Sequence, residues 1–379
     1  MPLISYKPVR LQPYFGWRSA SQIYLKARAL RSRPSNFGAA GRWQALRTMI
    51  GQFASHEVEG LAVTLEWMDA DGQRRSTDGV TDAEGYVVFD IALDTPWPCA
   101  LDTQWDVVSL HWRNRTGEQA VDAHLLAPGR STSLGVISDI DDTIIETGIT
   151  GNMRAVLRNW RRVLLEMPEQ RLLVPGADAF YGALGGGAVL RPGTEGGDDP
   201  TGDSLPATRH PFFYVSSSPW NLYSYLVAFK RTRALPLGPI AMRDWGLNRA
   251  TFGSASHGAH KVAAIESILA GFPHLQFALI GDDTQGDLTA FGDIVARHPD
   301  RIRAVFIRKA GEAFSPEELE AKATIRGNGV PLWLGDAYDT GQAFLRSIGL
   351  ARDGEAEHIV EAKTPPAGAS QTSRTPANG

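Results

Sequence analysis

Three short apolar runs in this chain each stop abruptly at acids or hydroxyls: Leu134 to Ile137 before Asp139, Phe212 to Val215 before Ser216, and Leu275 to Ile280 before Asp282. Runs of this length without polar alternation are the pattern of strands covered on both faces, as in a parallel sheet flanked by helices. The polar residues that follow then stand at the carboxyl edge of an open α/β sheet, where ligands bind in folds of that kind. The first run leads into SDIDDTIIETG, where Asp139, Asp141 and Thr143 form a DxDxT motif. Alternation along an extended chain turns Asp139 and Asp141 the same way. Two carboxylates facing one pocket repel unless a cation lies between them, so the motif implies a divalent metal.

Acids after a strand also occur as solvated loops or helix caps, and it is the order of the motifs that separates the two readings. HKVAAIESIL places Lys261 at the start of an amphipathic helix with Val262, Ile265, Ile268 and Leu269 on its apolar face. LQFALIGDDTQGD closes on Asp282, Asp283 and Asp287. The series strand-Asp-x-Asp, strand-Ser, Lys, strand-Gly-Asp-Asp resembles the haloacid dehalogenase-like phosphatases. Within that superfamily, DIDDTI with Glu146, Thr147 and Gly148, then VSSSPWNLY, LPLGPIAMRDWG, HK and LIGDDTQGD, is similar to the actin-patch type of phosphatidate phosphatase family. The likeness runs over residues 134 to 345 and extends upstream through PYFGWR and TDAEGYVVFD. That family's last motif usually reads GDSGQ-x-D-P-E, from which Asp283, Thr284 and Leu288 depart.

The resemblance implies an α/β fold, with a Rossmann-like, haloacid dehalogenase-type parallel sheet that carries helices on both faces. It also implies a division of roles. Asp139 attacks phosphorus and becomes an aspartyl-phosphate. Asp141 protonates the leaving alkoxide and then activates water. Mg2+, a hard cation, is held by Asp139, the carbonyl of Asp141, Asp282 and a further acid, Asp287 being preferred to Asp283. Ser216 and Lys261 hold the phosphoryl oxygens, with Ser217 as the alternative hydroxyl because a one-residue shift of the strand boundary exchanges them. The expected reaction is magnesium-dependent hydrolysis of a phosphate monoester, phosphatidate to diacylglycerol. The alternatives are another monoester, such as a nucleic-acid end or a sugar phosphate, or a catalytically weak lipid- or protein-binding module.

The first part of the chain has a different texture. Gln22 to Ala27, Leu61 to Trp67, Tyr86 to Ile91 and Val107 to Trp112 are short, alternating and separated by DADG, TDAEG and RNRTG, which predicts a small antiparallel β-sandwich over residues 1–130. TDAEGYVVFDI is similar to transthyretin-like and carboxypeptidase regulatory domains. The phosphatase-like domain follows over 131–350, with Ile302 to Ile307 as a further strand and Asp336 to Leu345 entering a closing helix. A cap insertion is expected at about 148–210, in a position where a lid excludes water. Its clearest element, Asn152 to Met167, joins an apolar stripe to Arg154, Arg158, Arg161 and Arg162, a combination that suits an anionic membrane surface. The glycine-rich stretch that ends this insertion is expected to be a mobile loop, and residues 351–379 a disordered tail.

A formal net charge of −4 argues against a general nucleic-acid binder, and a lone cysteine, Cys99, rules out an internal disulfide and fits a reducing compartment. With 43% hydrophobic residues, no signal-like N-terminus and no run of about 18 apolar residues, the expectation is a cytoplasmic protein with room for peripheral membrane contact.

Overall fold

The computed structural model describes residues 8–31, 56–140, 143–144, 174–186, 205–243, 254–309 and 313–350. The alternating segments of the first part form nine strands: β1 (Val9–Pro13), β2 (Gly16–Arg18), β3 (Gln22–Arg31), β4 (His56–Glu57), β5 (Ala62–Met68), β6 (Arg74–Val80), β7 (Tyr86–Ala92), β8 (Gln104–Asn114) and β9 (Gly117–Ala127). Their order is β1-β3-β2-β9-β8-β5-β6, with β4 and β7 also paired to β3. The hairpins come from local chemistry. In TDAEG, Asp82 Oδ1 accepts from the backbone N–H of Glu84 and Tyr86 at 2.9 and 2.8 Å, and Gly85 takes a φ of 78° that a side chain would oppose.

Inward-facing Leu25, Ala27, Val63, Leu65, Val87, Phe89, Leu110 and Leu125 share one apolar cluster. Instead of two separate sheets, the strands make one hydrogen-bonded sheet folded over that core. The three-residue β2 causes this: it pairs antiparallel with β3 and parallel with β9, and so joins the two halves.

Six strands make the second sheet: β10 (Leu134–Asp139), β11 (Phe212–Pro219), β12 (Ile240–Arg243), β13 (Gln276–Asp282), β14 (Ile302–Arg308) and β15 (Leu332–Gly335). Their order is β12-β11-β10-β13-β14-β15 and every pair is parallel. The α-helices among the described residues are α1 (Ala177–Gly185), α2 (Tyr223–Thr232), α3 (Ser254–Gly271), α4 (Asp287–Arg297), α5 (Pro316–Gly327) and α6 (Tyr338–Ser347). Strand alternation divides the core in two. Val136, Phe212, Tyr214, Ile280 and Phe306 meet α1, α2 and α6, whereas Ile137, Phe213, Val215, Leu279 and Val305 meet α3, α4 and α5. Both faces are therefore covered, which is why these strands are continuously apolar. The chain leaves β10 for β11 on one side and returns to β13 on the other. That reversal opens a crevice beyond the carboxyl ends of β10 and β13.

Within residues 148–210, where a cap is expected, the described helix α1 is a core helix, and residues 148–173 and 187–204 lie outside the described residues. Phe180 and Tyr181 are fully buried, and Phe180 packs on Phe306 and Tyr338 with ring centroids 5.2 and 4.7 Å apart. The physical reason is that a parallel connection from β10 to β11 needs a helix to cover the sheet, and α1 supplies it. The basic helix expected over 152–167, the glycine-rich stretch at 187–204 and the tail at 351–379 lie outside the described residues. Among the described residues, no helix is long and apolar enough to cross a membrane.

Candidate active site

The carboxyl ends of β10 and β13 bring three acids together. Asp139 closes β10, Asp282 closes β13, and Asp287 opens α4, five residues after Asp282. One carboxylate oxygen from each lies within 4.8 Å of the other two, and all three side chains are buried. Lys261 reaches in from α3: its Nζ stands 3.0 Å from Asp139 Oδ1 and forms a second ion pair with Asp287. Thr143 Oγ1 lies 3.3 Å from both Asp139 Oδ2 and Asp282 Oδ2, so its single proton can serve either acid.

Backbone geometry holds the second pair of acids. Asp282 Oδ1 accepts from the N–H groups of Thr284 and Gln285 at 2.5 and 3.1 Å and from the Thr284 hydroxyl at 2.7 Å, which ties the turn after β13 to its own carboxylate. Asp287 Oδ2 accepts the N–H of Asp282 at 3.1 Å. That closure needs Gly281, because a Cβ there would sit 2.6 Å from Asp287 Cβ. Gly281→Ala should therefore push Asp287 away from Lys261 and destabilise the protein by about 1–3 kcal/mol. Urea unfolding checks this, and an unchanged midpoint would show that the turn can give way.

The electrostatics of the cluster follow from burial. Burial alone would push the Lys261 ammonium down, but Asp139, Asp287 and Asp282 outweigh it and hold the pKa above the usual lysine range. The Asp282 carboxyl is raised to about 7, first by burial and then by Asp287, with Lys261 and the Thr284 hydrogen bonds pulling the other way. Three carboxylates around one ammonium carry two surplus negative charges when all are ionised. Buried charge of that size calls for a compensating ion. An all-oxygen donor set and a deficit of two charges fit a hard divalent cation such as Mg2+. Asp139, Asp282 and Asp287 are the described residues that could hold it.

The sequence-derived candidates distribute as follows. Asp139, Lys261, Asp282 and Asp287 come together. Asp141 lies outside the described residues. Ser216 and Ser217 are buried beyond the carboxyl end of the β10–β11 pairing, where Asp139 faces Val215 across the ladder. Ser216 Oγ accepts the N–H of Ser218 at 3.0 Å. Asp283 is not in the converging group of acids, and its N–H donates to the carbonyl of Arg308 at 3.2 Å. Lys261 is not at the start of its helix. Because α3 begins at Ser254, Lys261 lies two turns inside it, behind the small residues of SASHGAH that carry no apolar stripe.

A supporting layer has no motif to announce it. Ser138 Oγ lies 2.7 Å from the Tyr181 hydroxyl, and the Tyr338 hydroxyl donates to the carbonyl of Thr143 at 3.1 Å. These contacts tie the DxDxT segment to α1 and α6, and only long-range folding brings them together.

Residues 134–309 match the family "Phosphatidate phosphatase APP1, catalytic domain". This segment belongs to that family of catalytic domains. The chain is 27% identical over 284 residues to phosphatidate phosphatase APP1 of Saccharomyces cerevisiae, an alignment that covers 71% of this chain and 41% of the relative. It is 23% identical over 255 residues to the Schizosaccharomyces pombe protein C29B5.04c, with 66% of this chain and 37% of that protein covered. The chain thus spans about two fifths of the length of these curated relatives. Among solved structures, a Parabacteroides merdae β-glucuronidase aligns over 87% of this chain and 46% of its own at 9% identity and a TM-score of 0.25, a value too low to relate the folds.

Proposed function

We propose that this chain is a magnesium-dependent phosphatase of the haloacid dehalogenase type that hydrolyses a phosphate monoester, with phosphatidate as the leading substrate and diacylglycerol as product. The observation that supports this reading best is the convergence of the Asp139, Asp282 and Asp287 carboxylates within 4.8 Å, with the Lys261 ammonium 3.0 Å from Asp139. The membership of residues 134–309 in the APP1-type catalytic family supports the same chemistry.

Hydrolysis of a phosphate monoester is slow because the nucleophile and the phosphoryl group both carry negative charge. Mg2+, when bound by Asp139, Asp282 and Asp287 together with the carbonyl of Asp141, supplies the positive field that offsets this repulsion. The chain's own groups do the rest. Asp139 is the nucleophile: one carboxylate oxygen forms a bond to phosphorus as the bond to the leaving alkoxide breaks, giving an aspartyl-phosphate. Asp141 delivers its proton to that alkoxide and then takes a proton from the water that hydrolyses the acyl phosphate. Lys261 stabilises the phosphoryl oxygens by its point charge, with Asp287 fixing its direction through their ion pair. Ser216 donates to a non-bridging oxygen, and Ser217 is the neighbouring hydroxyl to compare with it.

For location, the reading is a cytoplasmic enzyme that meets an anionic membrane surface peripherally. A phosphate-release screen with and without Mg2+, over phosphatidate, lysophosphatidate, nucleotides and sugar phosphates, tests the proposal. Metal-dependent release that is fastest on phosphatidate is expected. Release that ignores the metal, or a clear preference for a soluble sugar phosphate, would overturn the magnesium or the lipid assignment respectively.

A further inference from the structure

The buried hydroxyl segment Ser216 to Ser218 forms the carboxyl end of β11. The β11–β12 ladder pairs Ser216 with Met242 and Pro219 with Arg243, and its register shifts between them, as at a β-bulge. Immediately downstream, the turn Trp220–Leu222 and the start of α2 receive a set of contacts from the opposite sheet. Arg28 Nη1 donates to Asn221 Oδ1 at 2.8 Å, and Gln12 Nε2 donates to Ser224 Oγ at 3.0 Å. The N–H of Phe15 donates to the Tyr223 hydroxyl at 2.6 Å. The Tyr14 ring packs on Trp220 and Tyr223 with centroids 4.3 and 4.6 Å apart, and Lys26 Nζ sits over Trp220 at 4.5 Å.

Arg28 is itself held rigid. Its Nε donates to the carbonyl of Glu84 at 3.0 Å, Nη2 pairs with Glu57 at 3.1 Å, and the guanidinium lies 4.5 Å from the Tyr86 ring centre. A guanidinium anchored on β3 and β4 at one end and on Asn221 at the other transmits the position of the nine-stranded sheet to the loop after β11.

We infer that the N-terminal sheet is a positioning element for the phosphate-binding end of β11, with Arg28 and Asn221 as the pair that sets where Ser216 and Ser217 stand. The inference rests on the phosphatase reading above. It gives the first part of the chain a direct bearing on turnover: a strand end that shifts by about 1 Å misaligns its hydroxyls with the phosphoryl oxygens, and losses of that origin reach about a hundredfold. Arg28 and Asn221 are positioning residues, since neither is placed against the reacting atoms.

The test compares the parent chain with Arg28→Met, Asn221→Ala and the double variant, on a soluble aryl phosphate with Mg2+ and with inorganic phosphate as inhibitor. Each single change should lower kcat and weaken inhibition by phosphate, both by about tenfold, while the Mg2+ concentration for half-maximal activity stays at the parent value. The double variant should lose no more than the worse single, because both changes cut the same link. A folded single variant with kcat and phosphate inhibition within about twofold of the parent would overturn the inference, as would losses that multiply in the double variant.

Amide hydrogen exchange over residues 216–224 gives a readout that needs no turnover. Faster exchange in Asn221→Ala than in the parent is expected, and equal rates would overturn the inference. A parent with no turnover on any monoester would instead remove the phosphatase reading, and the exchange comparison would still judge the link between sheet and loop.

Discussion

Asp139→Asn is expected to reduce metal-dependent phosphate release by roughly 10³-fold or more, since it removes the proposed nucleophile and leaves only binding and electrostatic contributions. The substitution is nearly isosteric. The amide can still meet the Thr143 hydroxyl, which lies 3.3 Å from Asp139 Oδ2, and β10 keeps its ladder to β11 and β13. The variant should therefore fold, melt cooperatively and retain its architecture. Steady-state phosphate release, measured beside the circular dichroism of the same preparation, separates lost chemistry from lost structure. Turnover within tenfold of the parent would remove Asp139 from the role of nucleophile.

The second large effect is on stability. Lys261 is 1% exposed and is the ammonium that Asp139 and Asp287 share. Lys261→Met keeps the volume and removes the charge, leaving acids buried without their partner. Breaking a buried pair from one side costs about 3–5 kcal/mol, because the remaining charge stays desolvated. Metal-free Lys261→Met should lose about that much in urea unfolding. Mg2+ should restore more stability to this variant than it adds to the parent, because the cation takes over part of the neutralisation. Equal stability of variant and parent without metal would mean that the acids are already protonated or compensated elsewhere. The accompanying loss of turnover follows from the same missing charge at the phosphoryl oxygens.

The sheet that carries the site was legible because its strands are covered on both sides. Val136, Ile137, Leu279 and Ile280 are apolar in succession, so their end points, Asp139 and Asp282, could be placed at one edge without coordinates. The folding of the first sheet was not legible. Its path depends on β2, three residues long, whose parallel pairing with β9 is a tertiary event that alternation cannot signal. Helix α1 was hidden for a related reason: Ala177 to Gly185 is short and flanked by glycines, and only the crossover it completes explains why Phe180 and Tyr181 are buried.

Within the site, chemistry was more readable than support. Asp287 stood out as a second acid by spacing, but its grip on Lys261 and on the N–H of Asp282 depends on the absent side chain at Gly281, which only geometry shows. Tyr338 and Tyr181, which brace the DxDxT segment, come from helices far along the chain and carry no motif. The same holds for Arg28. On a strand of alternating polarity it reads as a solvated cation, whereas in the fold it is buried over the Tyr86 ring and donates to Asn221.

The central claim is that the three converging acids hold a divalent cation while the carboxylate at 139 takes the phosphoryl group. The direct measurement is acid quenching during turnover of a labelled phosphate monoester, followed by mapping of the covalently bound label. The expected result is label on the peptide that contains Asp139, present only when Mg2+ is added and absent from Asp139→Asn. An enzyme that turns over briskly while leaving no label on that peptide, or placing it on another residue, would contradict the account.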